Sequence, residues 1–179
     1  MRLIHAYEDS YIFEEPLRKN ERKNRLTIGC HGYGPRIPRV RINGQDYNPG
    51  QLSDSIKQWS EFNKLYSVRL IACYSANSKP SGGIWPIDGF PFSSSFGSQL
   101  SILLPNVFVK AYKGNIGTNY DPASIKEFND DYGSEYTEDG LSDHFKVRKD
   151  TPNQPYHCVV FLNGQVYRQR YNPNTLLAP

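Results

Sequence analysis

Three short apolar runs constrain this chain more than anything else in it: "RLTIGC" (25–30), "VRLIAC" (68–73) and "VFVKAY" (107–112). Each is too short for a core helix and rich in branched residues, and two end just before Gly- or Ser-rich turns. They read as strands buried inside a sheet. The segments between them are helical. In "NPGQLSDSIKQWSEFN", Leu52, Ile56, Trp59 and Asn63 share one face with Phe62 at its border. Asn48 is placed to cap this helix, Pro49 suits its first position, and Gln51 stands where a capping-box partner belongs. In "SSSFGSQLSILLP", Phe96, Leu100, Leu103 and Leu104 form the apolar face and Pro105 ends it. Strand, helix, strand, helix, strand implies right-handed crossovers. The expected fold is α/β, a mostly parallel central sheet flanked by helices.

The 179 residues are enough for a single domain with a real core, supplied with 13 Tyr, 9 Phe and 2 Trp. The expected organisation is an N-terminal segment (1–24), a core (25–116), a long excursion (117–155) and a C-terminal β-hairpin (156–171). "RLIHAY" (2–7) reads as an edge strand. "VRINGQDY" (40–47) and "CVVFLNGQVYRQRY" (158–171) both turn at Asn-Gly, the strongest short hairpin signal, so two β-hairpins are expected to decorate the core. Residues 114–155 are rich in Gly, Asn, Asp, Pro and Tyr with weak periodicity; one short helix is expected there. A second irregular stretch, "SANSKPSGGIWPIDGFP" (75–91), follows the second core strand, and loops this long inside a compact domain are often functional.

A net charge of +3 with an ordinary charged fraction argues against an electrostatic nucleic-acid binder. The basic run "LRKNERKNR" (17–25) reads as a solvated approach to the first core strand, with an anionic effector as the alternative. No apolar run reaches the length of a membrane span, and the N-terminus has no long apolar region of signal-peptide type. Export by a dedicated secretion machine needs no such signal. Three cysteines at spacings of 43 and 85 residues make no CxxC or knuckle pattern and read as free thiols.

In a parallel sheet, sites form outside the carboxyl ends of the strands. The first core strand ends in Cys30-His31-Gly32 and the second in Ala72-Cys73-Tyr74. Neighbouring strands would bring His31 and Cys73 out side by side. A thiol of pKa about 8.5 is only slightly ionised at neutral pH. A nearby imidazole raises the thiolate fraction and later protonates the leaving group. Gly32 lets a substrate carbonyl approach the backbone, and its N–H with that of Cys73 forms a candidate oxyanion hole. Cys30 and His31 cannot serve one another, because strand neighbours point to opposite faces. Cys30 is therefore read as a core residue. The bland alternative for Cys73 is a buried small hydrophobe, and for His31 a structural histidine.

A hydrophobic strand ending in His-Gly, followed by one ending in Ala-Cys, resembles the arrangement in caspase-like (clan CD) cysteine peptidases. Over residues 25–116 the chain looks most like the autoprocessing cysteine protease domains of large bacterial toxins, and the related bacterial effector and adhesin Stv domains. There His-Gly is followed by a short hairpin and a helix, as in "VRINGQDYNPGQLSDSIKQW", and the Cys strand by a loop, a helix like "SFGSQLSILLP" and a strand like "VFVKAYKG". The resemblance implies a caspase-like fold with His31 as the family histidine, Cys73 as the nucleophile and Gly32 beside the oxyanion. It implies hydrolysis of a peptide bond in a protein or peptide substrate, or in the chain itself, by a toxin or secreted effector made in a bacterial cytoplasm. The toxin proteases are activated by inositol hexakisphosphate at a basic surface, which draws attention to the run ending at Arg25; no other cofactor is implied. A dyad enzyme acting on side-chain amides, and a non-catalytic adhesin-like or protein-binding module, are the alternatives on the same fold.

Trp85 and Asp88 in "GGIWPIDGF" are the candidate substrate-binding residues, with a loop anchor and a solvated loop acid as their plainer readings. His144 and His157 read as surface or strand histidines. Cys30-His31 and His157-Cys158 have the ligand types of a zinc site, but one strand rarely turns both of its neighbours toward one metal, so no metal is expected.

Overall fold

The computed structural model describes residues 1–17, 20–34, 37–77, 92–148 and 156–171. The chain opens with an antiparallel meander of β1 (Arg2–Ala6), β2 (Tyr11–Leu17) and β3 (Asn20–Gly29). Next come β4 (His31–Gly32), β5 (Val40–Ile42), β6 (Gln45–Tyr47), α1 (Pro49–Trp59) and β7 (Leu65–Ile71). A short 3₁₀ turn (Phe92–Ser94) leads into α2 (Phe96–Leu103) and β8 (Phe108–Tyr112). The chain continues through α3 (Pro122–Tyr132), α4 (Ser134–His144), β9 (His157–Leu162) and β10 (Gln165–Tyr171).

Seven strands make one sheet in the order β1-β2-β3-β7-β8-β9-β10. The three core runs lie side by side at its centre, β3 parallel to β7 and β7 parallel to β8. The protein is thus α/β with helices against its sheet, but the sheet is mixed rather than mostly parallel. The other four pairings are antiparallel. The physical reason lies at the two ends of the chain. The N-terminal segment turns back on β3 tightly enough for hairpin pairing, and the C-terminal hairpin adds to β8 instead of lying apart from the sheet. Only strands joined by α-helical crossovers run parallel.

Even-numbered residues of β3 and β7 (Leu26, Ile28, Val68, Leu70) face a core completed by Leu52 and Ile56 of α1 and by Phe96, Leu100 and Leu104 of the α2 region. Asn48 caps α1 through a reciprocal capping box with Gln51. On the opposite face Tyr11 and Phe13 pack with Ile125 of α3 and Leu141 of α4. The excursion after residue 117 therefore holds two helices where one was expected. Its apolar residues are few because only one stripe of each helix meets the sheet. The basic run is part of β3 from Asn20 onward. Within it Lys23 donates to the Asn63 carbonyl at 3.0 Å, and Arg25 pairs with Glu15 at 2.8 Å. Among the described residues no helix is long and apolar enough to cross a membrane.

Candidate active site

β3 and β7 end together at one edge of the sheet. Gly29 lies opposite Ile71, and Cys30 N–H donates to the Ile71 carbonyl at 3.1 Å. Beyond that point the chains diverge. His31-Gly32 peels away as β4 and pairs antiparallel with β5, so the first hairpin joins the His-Gly segment in a separate three-stranded sheet, β4-β5-β6. Its Asn-Gly turn has both residues at positive φ, Asn43 at 50° and Gly44 at 72°, as a tight hairpin requires. Asp9 grips that turn by accepting from Asn43 N–H and Gly44 N–H at 2.8 and 2.7 Å.

Gly32 lies flat against Cys73. A Cβ added at Gly32 would overlap the Cys73 carbonyl and stand 2.8 Å from Cys73 N, so only glycine permits this approach. Tyr33 N–H donates to the Arg39 carbonyl at 3.2 Å. Hydrogen-bonded pairs alternate along an antiparallel ladder, so Gly32, paired with Val40, turns its N–H to the free edge of β4. Neither this N–H nor that of Cys73 is engaged by another described residue. Two donors without a described partner thus belong to residues whose backbones meet where two strands end.

Cys73 opens a tight turn over residues 72–77. Ser75 N–H and Asn77 N–H donate back to Ala72 and Tyr74 at 3.3 and 2.9 Å, and Tyr74 adopts a positive φ of 59°. The turn is tied to the segment following β8. Tyr74 N–H donates to the Gly114 carbonyl and Ala76 N–H to that of Tyr112, both at 2.8 Å. Ser75 Oγ accepts from Tyr112 N–H at 3.0 Å and Asn77 Oδ1 from Gly114 N–H at 2.9 Å. The half-buried Cys73 sulfur meets the Ile116 backbone, accepting from its N–H at 3.5 Å and lying 3.7 Å from its carbonyl.

The His31 ring is exposed and makes no hydrogen bond to Cys73 or to any other described residue. Its cross-strand neighbour is Arg41, which in turn lies opposite Asp46. Tyr33 Oη donates to Asp46 at 2.7 Å and Arg41 Nε at 3.1 Å, and these bonds hold the Asp46 carboxyl below the usual carboxylate range. The structure therefore brings Gly32 and the Cys73 backbone into contact and leaves the His31 ring and the Cys73 thiol unjoined. Cys30 packs against the α1/α2 core, and burial, then the nearby Asp9 and Cys73, push its thiol well above the ordinary range. Cys158 is buried. Trp85 and Asp88 lie outside the described residues. No three His, Cys, Asp or Glu side chains among the described residues gather as metal ligands.

No family model, no curated protein and no solved structure matches the chain. Sequence reasoning missed the Ile116 backbone and the Tyr33–Asp46–Arg41 cluster. Ile116 acts through its amide, which every residue carries, and so leaves no side-chain signal. The cluster was legible in principle, since Arg41 and Asp46 flank an Asn-Gly turn at cross-strand spacing.

Proposed function

We propose that this chain is a cysteine peptidase of caspase-like type, acting on a protein or peptide substrate or on itself. The observation that carries the reading is the close approach of Gly32 to the backbone of Cys73, whose partly exposed thiol, unlike that of Cys30, is not packed against the α1/α2 core. The Cys73 thiol gives its proton to the His31 imidazole, and the sulfur bonds to the scissile carbonyl carbon. The electron pair moved onto oxygen is held by the Gly32 and Cys73 N–H groups. Collapse breaks the C–N bond, the amine leaves with the proton from His31, and water then hydrolyses the thioester. Catalysis requires the exposed His31 ring, which does not join the thiol in the free protein, to come within hydrogen-bond reach of Cys73 when substrate binds, through a shift of β4. The resemblance of the His-Gly and Ala-Cys strand endings to toxin protease domains is what suggests a bacterial toxin or secreted effector as its setting. An enzyme acting on side-chain amides would share the acylation half.

The test is a peptide bearing an electrophilic ketone. Selective labelling of Cys73 that is lost in His31→Ala supports the proposal. Equal labelling of all three cysteines, or none, overturns it. One observation favours a second reading. The Cys73 sulfur is held by Ile116 rather than by His31, as in a binding module with an idle dyad. That reading requires Cys73→Ala to match the wild type in any cellular assay of the protein.

A further inference from the structure

The α3–α4 pair carries a feature that neither the sheet nor the Cys73 site uses. Between the two helices lies a groove of about 200 Å³, lined by Tyr120, Ile125, Phe128, Thr137, Gly140 and Leu141. Its floor is apolar and its volume suits one large side chain. Beside it the Phe128 and Tyr132 rings meet at a tilt of 40° with centroids 4.7 Å apart, and Phe128, Tyr132 and Tyr136 stand 43%, 61% and 68% exposed. Large apolar surface left in solvent around a concavity marks a binding face.

The charge around this groove says what fits it. Residues 117–148 carry eight carboxylates and three basic side chains, although the whole chain has 18 acidic and 21 basic residues. On α4, Glu135, Asp139 and Asp143 recur every four residues and so form one stripe beside Tyr136 and Gly140. All three are exposed and none has an ion pair or side-chain hydrogen bond among the described residues. Like charges one turn apart destabilise a helix, so the stripe works against the stability of α4. Asp130, by contrast, is paired with Lys126, and Glu138 accepts from Leu3 N–H at 2.7 Å.

We propose that the α3–α4 groove docks a basic amphipathic segment of a partner protein, with one Leu or aromatic side chain in the groove and Lys or Arg along the acidic stripe. This places recognition on residues other than those around Cys73. An anionic lipid surface would be repelled by the same stripe.

Gly140 supplies a clean test, because a Cβ added there meets nothing within 4 Å. Gly140→Leu fills the groove and favours the helix it sits in. The probe is a fluorescent helical peptide of Lys, Arg and Leu with one Trp, titrated into the full chain. The control peptide has Glu at every basic position. Expected is binding of the basic peptide alone, weakening as salt is raised. Gly140→Leu should lower affinity about tenfold or more, as loss of an anchor does, with the helical circular dichroism unchanged. The triple variant Glu135→Gln/Asp139→Asn/Asp143→Asn should flatten the salt dependence, and Cys73→Ala should bind as the wild type does. The proposal is overturned if the basic peptide fails to bind, if both peptides bind alike, or if Gly140→Leu leaves affinity intact. It is also overturned if sedimentation shows the groove occupied by a second copy that Gly140→Leu releases.

Discussion

Single residues separate the three thiols. Cys73 and Cys30 are both partly exposed and Cys158 is buried, but Cys73 lies against a backbone amide whereas Cys30 packs on the core, where desolvation holds its thiol protonated. Brief treatment of the native protein with iodoacetamide near neutral pH should alkylate Cys73 and spare Cys30 and Cys158, as read by peptide mass spectrometry. Modification of Cys30 at the same rate would contradict its packing against the core. Two glycines are as sharply placed. Gly29 faces Tyr11 across the β2–β3 ladder, and a Cβ there would overlap the Tyr11 ring. At Gly32 the obstacle is the Cys73 backbone, which cannot rotate aside as a side chain can. Gly32→Ala should cost about 2 kcal/mol or more in urea unfolding, the size of an overpacked core site. It should also abolish Cys73 labelling by the peptide electrophile. Retention of both stability and labelling would mean that β4 shifts freely and that the close approach has no role.

At the scale of elements, helix α1 was the most legible part of the chain. Its capping residue and N-terminal proline are met in the structure, and so is its apolar face at Leu52 and Ile56, but the helix stops at Trp59 and leaves Asn63 exposed in the turn beyond it. Asn48→Ala should therefore lower stability by about 1 kcal/mol, the usual worth of an N-cap, measured by thermal or urea unfolding. Asn48→Asp should retain most of that stability, since the side-chain acceptor survives. The three core strands were equally plain, because a buried strand needs an unbroken apolar run. β2 was not. "YIFEEPL" interrupts its apolar residues with Glu14 and Glu15, which are accommodated by specific partners. Glu14 is bound by Ser60 and Arg2, and Glu15 by Arg25 and Arg69. Those partners come from distant parts of the sequence, so nothing local marks the carboxylates as strand residues. The helices α3 and α4 were hidden for a related reason. Each buries a narrow stripe, Ile125 on one and Thr137 with Leu141 on the other, too little to set a visible period. At the candidate site the residue types His31, Gly32 and Cys73 were legible from strand endings. The departure of β4 into its own sheet was not, because it depends on pairing with a hairpin ten residues further on.

For the molecule as a whole, two partly buried histidines and one gripped carboxylate shape the response to acid. His5 lies between Tyr7 and Trp59 at the β1 edge, and His157 lies against Phe92 at the other side of the sheet. Burial lowers both imidazole pKa values; for His157 the Gln169 contact opposes that shift and the Lys113 charge adds to it. A histidine whose folded pKa lies below its unfolded value binds fewer protons folded than unfolded. Unfolding then takes up protons as pH falls through the ordinary imidazole value of about 6.5, so stability is full above that value and declines below it. Asp9 works in the same direction further down the scale. Hydrogen bonds from the Gly44 and Asn43 amides and from Ser10 outweigh burial and hold its carboxyl below the usual range, so its contribution is lost only as pH falls into the carboxylate region. Urea midpoints should thus fall in two stages, the first between about pH 7 and 5.5 from the histidines and the second below about pH 4 from Asp9 and its like. The double variant His5→Gln/His157→Gln should remove the first stage and leave the second. Asp9→Asn should leave the first stage and shrink the second, while loosening the β5–β6 turn that Asp9 grips. An unchanged first stage in the histidine double variant would place the neutral-range acid sensitivity elsewhere in the molecule.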